Sequence, residues 1–181
     1  MSTTSFRFSR TIFVLSCHST MNLVRGLSQE EEGLTVVSLK QSAGRGRKGD
    51  EWLSNPGGLY FSFLLKPNFS PKWNEKLYQL TTRSVERTIQ GYLPSQKIEL
   101  KTPNDVLVNE KKISGVLIDT KVEGRKNLFL ITGIGINVTN PVPSYATSIQ
   151  KEGVQGVTPS EVLHQFQLHF EQAYNQWLTH L

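Results

Sequence analysis

At 181 residues, 37% hydrophobic and 19% charged, the chain suits one soluble globular domain that buries about two-thirds of its unfolded surface. A single cysteine, Cys17, excludes an intramolecular disulfide and a multi-cysteine metal site and points to a reducing compartment. No apolar run approaches the ~20 residues of a membrane span. The net charge of +5 is scattered apart from positions 45–48 and the Lys111-Lys112 pair, so it reads as a solvated surface or an acidic partner.

The first ten residues contain Ser, Thr and Arg and no acid, but they are too short for a transit peptide, and the start is read as native. Arg10 to Ser16 is rich in β-branched and aromatic residues and predicts a buried strand. Ser19 or Thr20 can N-cap a helix to about Gln29, with Gly33 closing the connection. Leu34 to Gln41 predicts a second strand. Asn55-Pro56-Gly57-Gly58 is turn chemistry, and the alternation of Leu59, Phe61, Phe63 and Leu65 predicts a third strand with one strongly apolar face.

Ser70-Pro71 starts a helix, with Pro71 at its first position. Trp73, Leu77, Leu80, Ser84 and Thr88, then Val85, Ile89 and Tyr92, keep its spacing until Gly91 and Pro94. Shorter strands follow at Ile98 to Lys101, Val106 to Val108, Ile113 to Val122, and Asn127 to Thr132. Asn109-Glu110 and Glu123-Gly124 serve as hairpin turns. After a loop-like 140–157, Thr158-Pro159-Ser160-Glu161 is a capping box opening a helix striped by Val162, Leu163, Phe166, Phe170, Ala173, Tyr174 and Trp177. Strands with few helices and hairpin pairing predict an α+β fold on a mixed, largely antiparallel sheet.

Three stretches carry chemistry. The first, Lys40 to Trp52, sets Gly44, Gly46 and Gly49 among Arg45, Arg47 and Lys48. Glycines let a backbone approach a ligand closely, and arginine offers planar donors matched to carboxylate and phosphate. As a string, Gly44-x-Gly46-x-x-Gly49 matches a dinucleotide fingerprint. The next residues, Asp50 to Gly57, run into a turn instead of the helix that fingerprint requires, and they lack the Lys-Ser/Thr of a P-loop. The second stretch, Lys101-Thr102-Pro103-Asn104-Asp105, is a proline-stiffened turn with a cation, an amide and a carboxylate. Lys112 follows, where a lysine serves as a strand-edge gatekeeper or as a cation aimed into a site beside Gly115. The third, Gly133-Ile134-Gly135-Ile136-Asn137, marks a bulge or the close approach of a ligand. Cys17-His18 has no partnered acid and reads as a small buried thiol beside a surface imidazole. His164, His169 and His180 lie on or beyond the last helix without a carboxylate cluster, so no metal cage is expected.

Gly-Arg-Gly-Arg-x-Gly…Trp, then Lys-x-Pro-Asn-Asp…Lys-x-x-Gly, then Gly-x-Gly-x-Asn occur in an order that resembles the catalytic domain of biotin–protein ligases, from about Thr11 to Trp177. The resemblance implies a mixed sheet flanked by helices, related to class II aminoacyl-tRNA synthetases and lipoate ligases. It implies a reaction in which biotin and ATP with Mg2+ give biotinyl-AMP, and a lysine of the biotin carboxyl carrier domain of acetyl-CoA carboxylase then takes the biotin. Lys112, Arg45 and Arg47 are then the catalytic cations. Ser19, Thr20, Met21, Gln41, Gly46, Gly115 and Gly133, with the same cations, surround biotin. Arg47, Trp52, Lys101, Asn104, Lys112, Ile136 and Asn137 face ATP. The family has Ser-Thr-Asn where this chain has Ser19-Thr20-Met21, a second basic residue at Asp50, and a tryptophan at Thr102. A single catalytic domain over 1–181 is expected, with neither an N-terminal DNA-binding domain nor the small C-terminal β domain, hence no DNA partner. A cytoplasmic location follows, and a homodimer is allowed. Competing functions are a lipoate or octanoate transferase, a non-transferring biotin or biotinyl-AMP binder, and an RNA-binding basic loop. A lack of basic clusters with interleaved aromatics disfavours the last.

Overall fold

The computed structural model describes residues 5–181. The first four residues of the N-terminal stretch lie outside that range. Twelve segments form seven strands, three α-helices and two 3₁₀ turns. In chain order the strands and helices are β1 (Thr11–Val14), α1 (Thr20–Gly26), β2 (Thr35–Ser38), β3 (Leu59–Leu65), α2 (Asn74–Tyr92), β4 (Ile98–Lys101), β5 (Asp105–Val108), β6 (Lys111–Glu123), β7 (Lys126–Ile136) and α3 (Pro159–Leu178). The strands make one sheet in the order β1-β2-β3-β7-β6-β5-β4, in which only β1 and β2 run parallel. The mixed, largely antiparallel α+β architecture expected from the pattern is therefore present.

Side chains alternate across a strand, and the pairing register fixes which residues share a face. Phe61, Phe63 and Leu65 share one face with Ile134, Ile136, Val116 and Val106. There they meet α2 and α3 in a core built around Phe6, Phe166, Phe170 and Tyr174. Phe63 and Phe170 lie edge-to-face at 5.0 Å between centroids, and Phe170 stacks on Tyr174 at 5.3 Å. The opposite face carries a smaller core of Met21, Val24, Leu34, Val36, Leu64 and Ile131 beneath α1. The capping box of α3 is formed, with Glu161 N–H donating to Thr158 Oγ1 and Thr158 N–H donating to Glu161 Oε2 at 2.8 Å. At the β5–β6 hairpin, Asn109 and Glu110 take left-handed φ of 48° and 67°.

Four local expectations change. β1 is an edge strand rather than a buried one, leaving Phe13 65% and Leu15 82% exposed. β3 has both faces covered, because it lies third in a seven-stranded sheet with helices on each side; all seven of its residues are buried. The helix after Ser70 opens as a 3₁₀ turn, Pro71–Trp73, and the Ser70 side chain makes no capping bond. α1 ends at Gly26 instead of near Gln29.

Candidate active site

The glycines of β6 and β7 lie on the α1 side of the sheet. Gly115 pairs with Gly135, and Gly133 with Leu117 and Ser62, so one patch of the central strands has almost no side chains. A cavity of about 190 Å³ opens there, between α1, the 41–52 loop, and the strand ends around Asn104 and Lys112. Ser19, Thr20, Met21, Gln41, Arg45, Gly46, Arg47, Trp52, Asn104, Lys112, Gly115 and Gly133 all line it. Segments more than a hundred residues apart in the chain thus converge on one concavity.

The loop is pinned by its own backbone. Gly46 N–H donates to Asp50 O (2.7 Å), Asp50 N–H to Arg47 O (3.0 Å), and Trp52 N–H to Gly44 O (2.9 Å). A Cβ on Gly44 would stand 2.4 Å from Trp52 O, so this closure needs glycine there. The Asp50 backbone closes the loop, and the residue is exposed.

The fold places a cation cluster at one end. Arg47 Nη1 donates to Asn104 Oδ1 (3.2 Å), and Asn104 Nδ2 donates to Asp105 Oδ1 (2.7 Å). Lys112 Nζ lies 2.9 Å from the same Asp105 oxygen and 5.3 Å from the centroid of the Trp52 ring. Lys112 reaches this face through a bulge. Asp105 pairs with Gly115 but Leu107 with Lys112, so β5 advances two residues while β6 advances three. Ile113 is the extra residue and turns into the larger core. Lys112 sits on β6, one strand in from β5 and two from the edge strand β4, so it is no edge gatekeeper.

The other end of the cavity carries no charge. Thr20 N–H donates to Gln41 Oε1 (2.8 Å), Thr20 Oγ1 lies 2.7 Å from Ser62 Oγ, and Gln41 Nε2 donates to Ser54 Oγ (2.9 Å). Met21 stands beside this relay against Gly133. Ser19 occupies the N-cap position of α1 without capping it. Among the described residues, neither its buried hydroxyl nor the buried Trp52 indole N–H has a hydrogen-bond partner. A buried polar group without a partner is costly, and Thr132 Oγ1, on the opposite face of the sheet, is a third such group. The indole lies flat on the glycine patch: a Cβ on Gly135 would meet Trp52 Cε2 at 2.3 Å, and one on Gly115 would meet Cζ3 at 2.9 Å.

Three expected residues fall outside this cavity. Ile136 is fully buried in the larger core, because strand alternation sends it to the face opposite Gly133 and Gly135. Lys101 is exposed at the end of the outermost strand, β4, one strand beyond Asp105. Asn137 lines an adjoining groove with Trp52, Lys112 and Tyr145, and its Oδ1 accepts from Asn140 Nδ2 at 3.0 Å. Cys17 is half-buried, not buried, and its backbone bridges to Gln41.

Sequence reasoning passed over Asp105 as a site residue, along with Gly135, Ser62 and Tyr78. Asp105 follows Asn104 directly, Gly135 is one strand period from Gly133, and Ser62 is the one serine in a strand of large aliphatic and aromatic residues. Tyr78 carried no signal. Its hydroxyl donates to Val116 O at 2.8 Å, and burial pushes its pKa up, an effect opposed by nearby Arg47 and reinforced by Asp105. It backs the cation cluster from α2, where Thr82 Oγ1 also donates to Pro103 O (3.1 Å) and steadies the turn.

The sheet and its flanking helices reproduce the catalytic fold of biotin protein ligases. The Aquifex aeolicus biotin protein ligase, solved with biotin and ATP, superposes with a TM-score of 0.77 at 32% identity over 92% of this chain and 70% of that one. The Leishmania major enzyme with biotinyl-5-AMP superposes with a TM-score of 0.74 at 26% identity over 90% and 73%. The model of the biotin/lipoate A/B protein ligase family matches residues 13–137, and the chain belongs to that family. It is 35% identical over 159 residues to the bifunctional ligase/repressor BirA of Bacillus subtilis, an alignment covering 82% of this chain and 48% of that protein. The chain thus spans about half the length of that relative.

Proposed function

We propose that this chain is an ATP-dependent biotin–protein ligase. The observation that carries the reading is that Arg47 and Lys112 converge at one end of a cavity whose other end is uncharged. Such a slot suits a carboxylic acid with a neutral tail and a second anion beside its head. The biotin carboxylate oxygen attacks the α-phosphate of ATP, and the bond to pyrophosphate breaks. The amine of a carrier-domain lysine then attacks the acyl carbon, loses a proton, and displaces AMP. The two anions repel until cations neutralise them, and preorganised charge is the largest contribution in such chemistry.

Lys112, on its bulge, bridges carboxylate and phosphate. Arg45 and Arg47 cover them from the loop, and closure over Gly46 keeps water from the adenylate. Ser19, Thr20 and Gln41 face the polar ring of biotin, while Gly115 and Gly133 seat the Trp52 indole and the Met21 thioether that wall the slot. Trp52 covers the ligand, and the groove at Asn137, with the backbone of Ile136 behind it, takes the nucleobase. Lys101 approaches the phosphates from the rim. Among the described residues no group of three or more His, Cys, Asp or Glu could cage a metal. Mg2+ would arrive on the triphosphate and not in a protein cage, since Asn104 Oδ1 and Asp105 Oδ1 already meet Arg47, the Asn104 amide and Lys112. A biotin carboxyl carrier domain is the acceptor, and the described chain acts as a single catalytic unit. Met21, an apolar residue against the slot, favours a lipoate or octanoate transferase as the second reading.

Incubating the protein with ATP, Mg2+, biotin and an apo carrier domain should add one biotin mass to the carrier. A lipoyl or octanoyl mass when those acids are supplied, with none from biotin, replaces the first reading with the second. Biotin-dependent pyrophosphate exchange without transfer identifies a binder that stops at the adenylate.

A further inference from the structure

We propose that Met21 is a specificity-determining residue: its thioether, seated opposite Gly133, forms the adjustable inner wall that sets which acyl tails the cavity accepts. This rests on the ligase reading above and adds to it the residue that chooses the acid.

Met21 belongs to two environments at once. It is 3% exposed and packs with Val24, Leu34, Val36, Leu64 and Ile131, yet it also lines the cavity. The contact that places it is with the backbone of β7. A Cβ on Gly133 would lie 2.7 Å from Met21 Sδ and 2.8 Å from its Cγ, so the thioether fills the space a side chain at 133 would take. The cations stand at the far end of the same cavity, so a carboxylate bound there extends its tail toward Met21. The other groups at this end are fixed by hydrogen bonds, since Thr20, Gln41, Ser62 and Ser54 hold one another. Met21 alone among them is unbranched, without polar tethers, and able to repack around ligands of different outline. A pocket wall of this kind discriminates between tails by about tenfold or more for each methylene-sized misfit.

The test is a binding panel of biotin, desthiobiotin, lipoic acid and octanoic acid, measured by calorimetry on the wild type, Met21→Ala, Gly133→Ala and the double variant. In wild type, biotin should bind most tightly. Met21→Ala should alter the ratio of affinities for biotin and lipoic acid by about tenfold. Gly133→Ala should drive the thioether into the cavity and weaken every acid. The double variant should recover part of that loss, because the two side chains compete for one space. Thermal melts establish that each variant is folded; should Met21→Ala not fold, Met21→Leu is used, and its branched end must still shift the ratio. If the acids all change by the same factor, or the double variant is simply additive, Met21 is only a packing residue and the proposal is overturned. If wild type binds none of the four acids, it is the ligase reading that fails.

Discussion

The two faces of the sheet are built from the same strands and obey opposite rules. On the α2–α3 side, residues such as Phe63, Phe166 and Phe170 are fully buried and interlock edge-to-face and stacked, and among the described residues one buried hydroxyl there, Thr132 Oγ1, lacks a partner. On the α1 side, the same β6 and β7 present Gly115, Gly133 and Gly135, a methionine wedged into the space beside one of them, and two buried donors without partners. One face is filled and the other withheld. Unfilled space and unpaired donors cost stability, so the filled face supplies the stability that lets the other stay open.

Changes on the two faces should therefore separate activity from stability. The largest effect is expected from Lys112→Ala, which removes the cation at the rim and leaves Asp105 without its partner. Biotin-dependent pyrophosphate exchange should fall by about 10²–10³-fold, while the melting temperature moves little, since a partly exposed ion pair contributes about 1 kcal/mol or less. Near-normal exchange would remove Lys112 from the chemistry. Phe166→Ala should do the reverse, costing about 3–5 kcal/mol in denaturant unfolding while leaving exchange per folded molecule intact. A large loss of exchange at temperatures where the variant is folded would mean that the faces are coupled.

Two smaller changes sharpen the contrast. Thr158→Ala removes the hydroxyl half of the α3 capping box, keeps the backbone N–H bond to Glu161, and should cost about 1 kcal/mol, read as a lowered urea midpoint at unchanged slope. Glu32 is pushed above the usual carboxylate range, first by burial and despite the Lys66 N–H it accepts. Because its folded pKa exceeds its unfolded one, the folded state binds more protons as the pH falls through the folded value. Stability at this site is thus gained on acidification and lost as pH rises. Glu32→Gln should raise the melting temperature slightly at pH 7 and leave it unchanged at pH 4; an equal shift at both would assign the gain to something other than charge.

Much of the filled face could be read from the sequence. The 3–4 stripe from Val162 to Trp177 is a direct record of burial, and the Thr158–Glu161 capping box states its own geometry, whereas the alternation in Leu59–Leu65 marks the strand without disclosing that both its faces are buried. β1 was misjudged because its apolar composition suits an edge as well as a centre, and position in the sheet depends on pairing that local pattern does not encode. On the open face, the glycine and arginine spacing disclosed an anion site. The Lys112–Asp105–Asn104–Arg47 chain spans three separate segments and depends on register. Ile136 is the counterexample. The motif includes it, but the two-residue period of β7 turns its side chain away from Gly135.

The bulge at Ile113 makes the position of Lys112 a matter of parity. Smoothing the bulge with no residue lost would restore plain alternation along β6 and turn the ammonium toward Phe61 and Val116, where no carboxylate awaits it. Deleting Ile113 would instead leave Lys112 on the face of Asp105 and remove one buried side chain from the larger core. The face on which the cation stands is therefore set by one irregularity in strand pairing, and not by the side chain of Lys112.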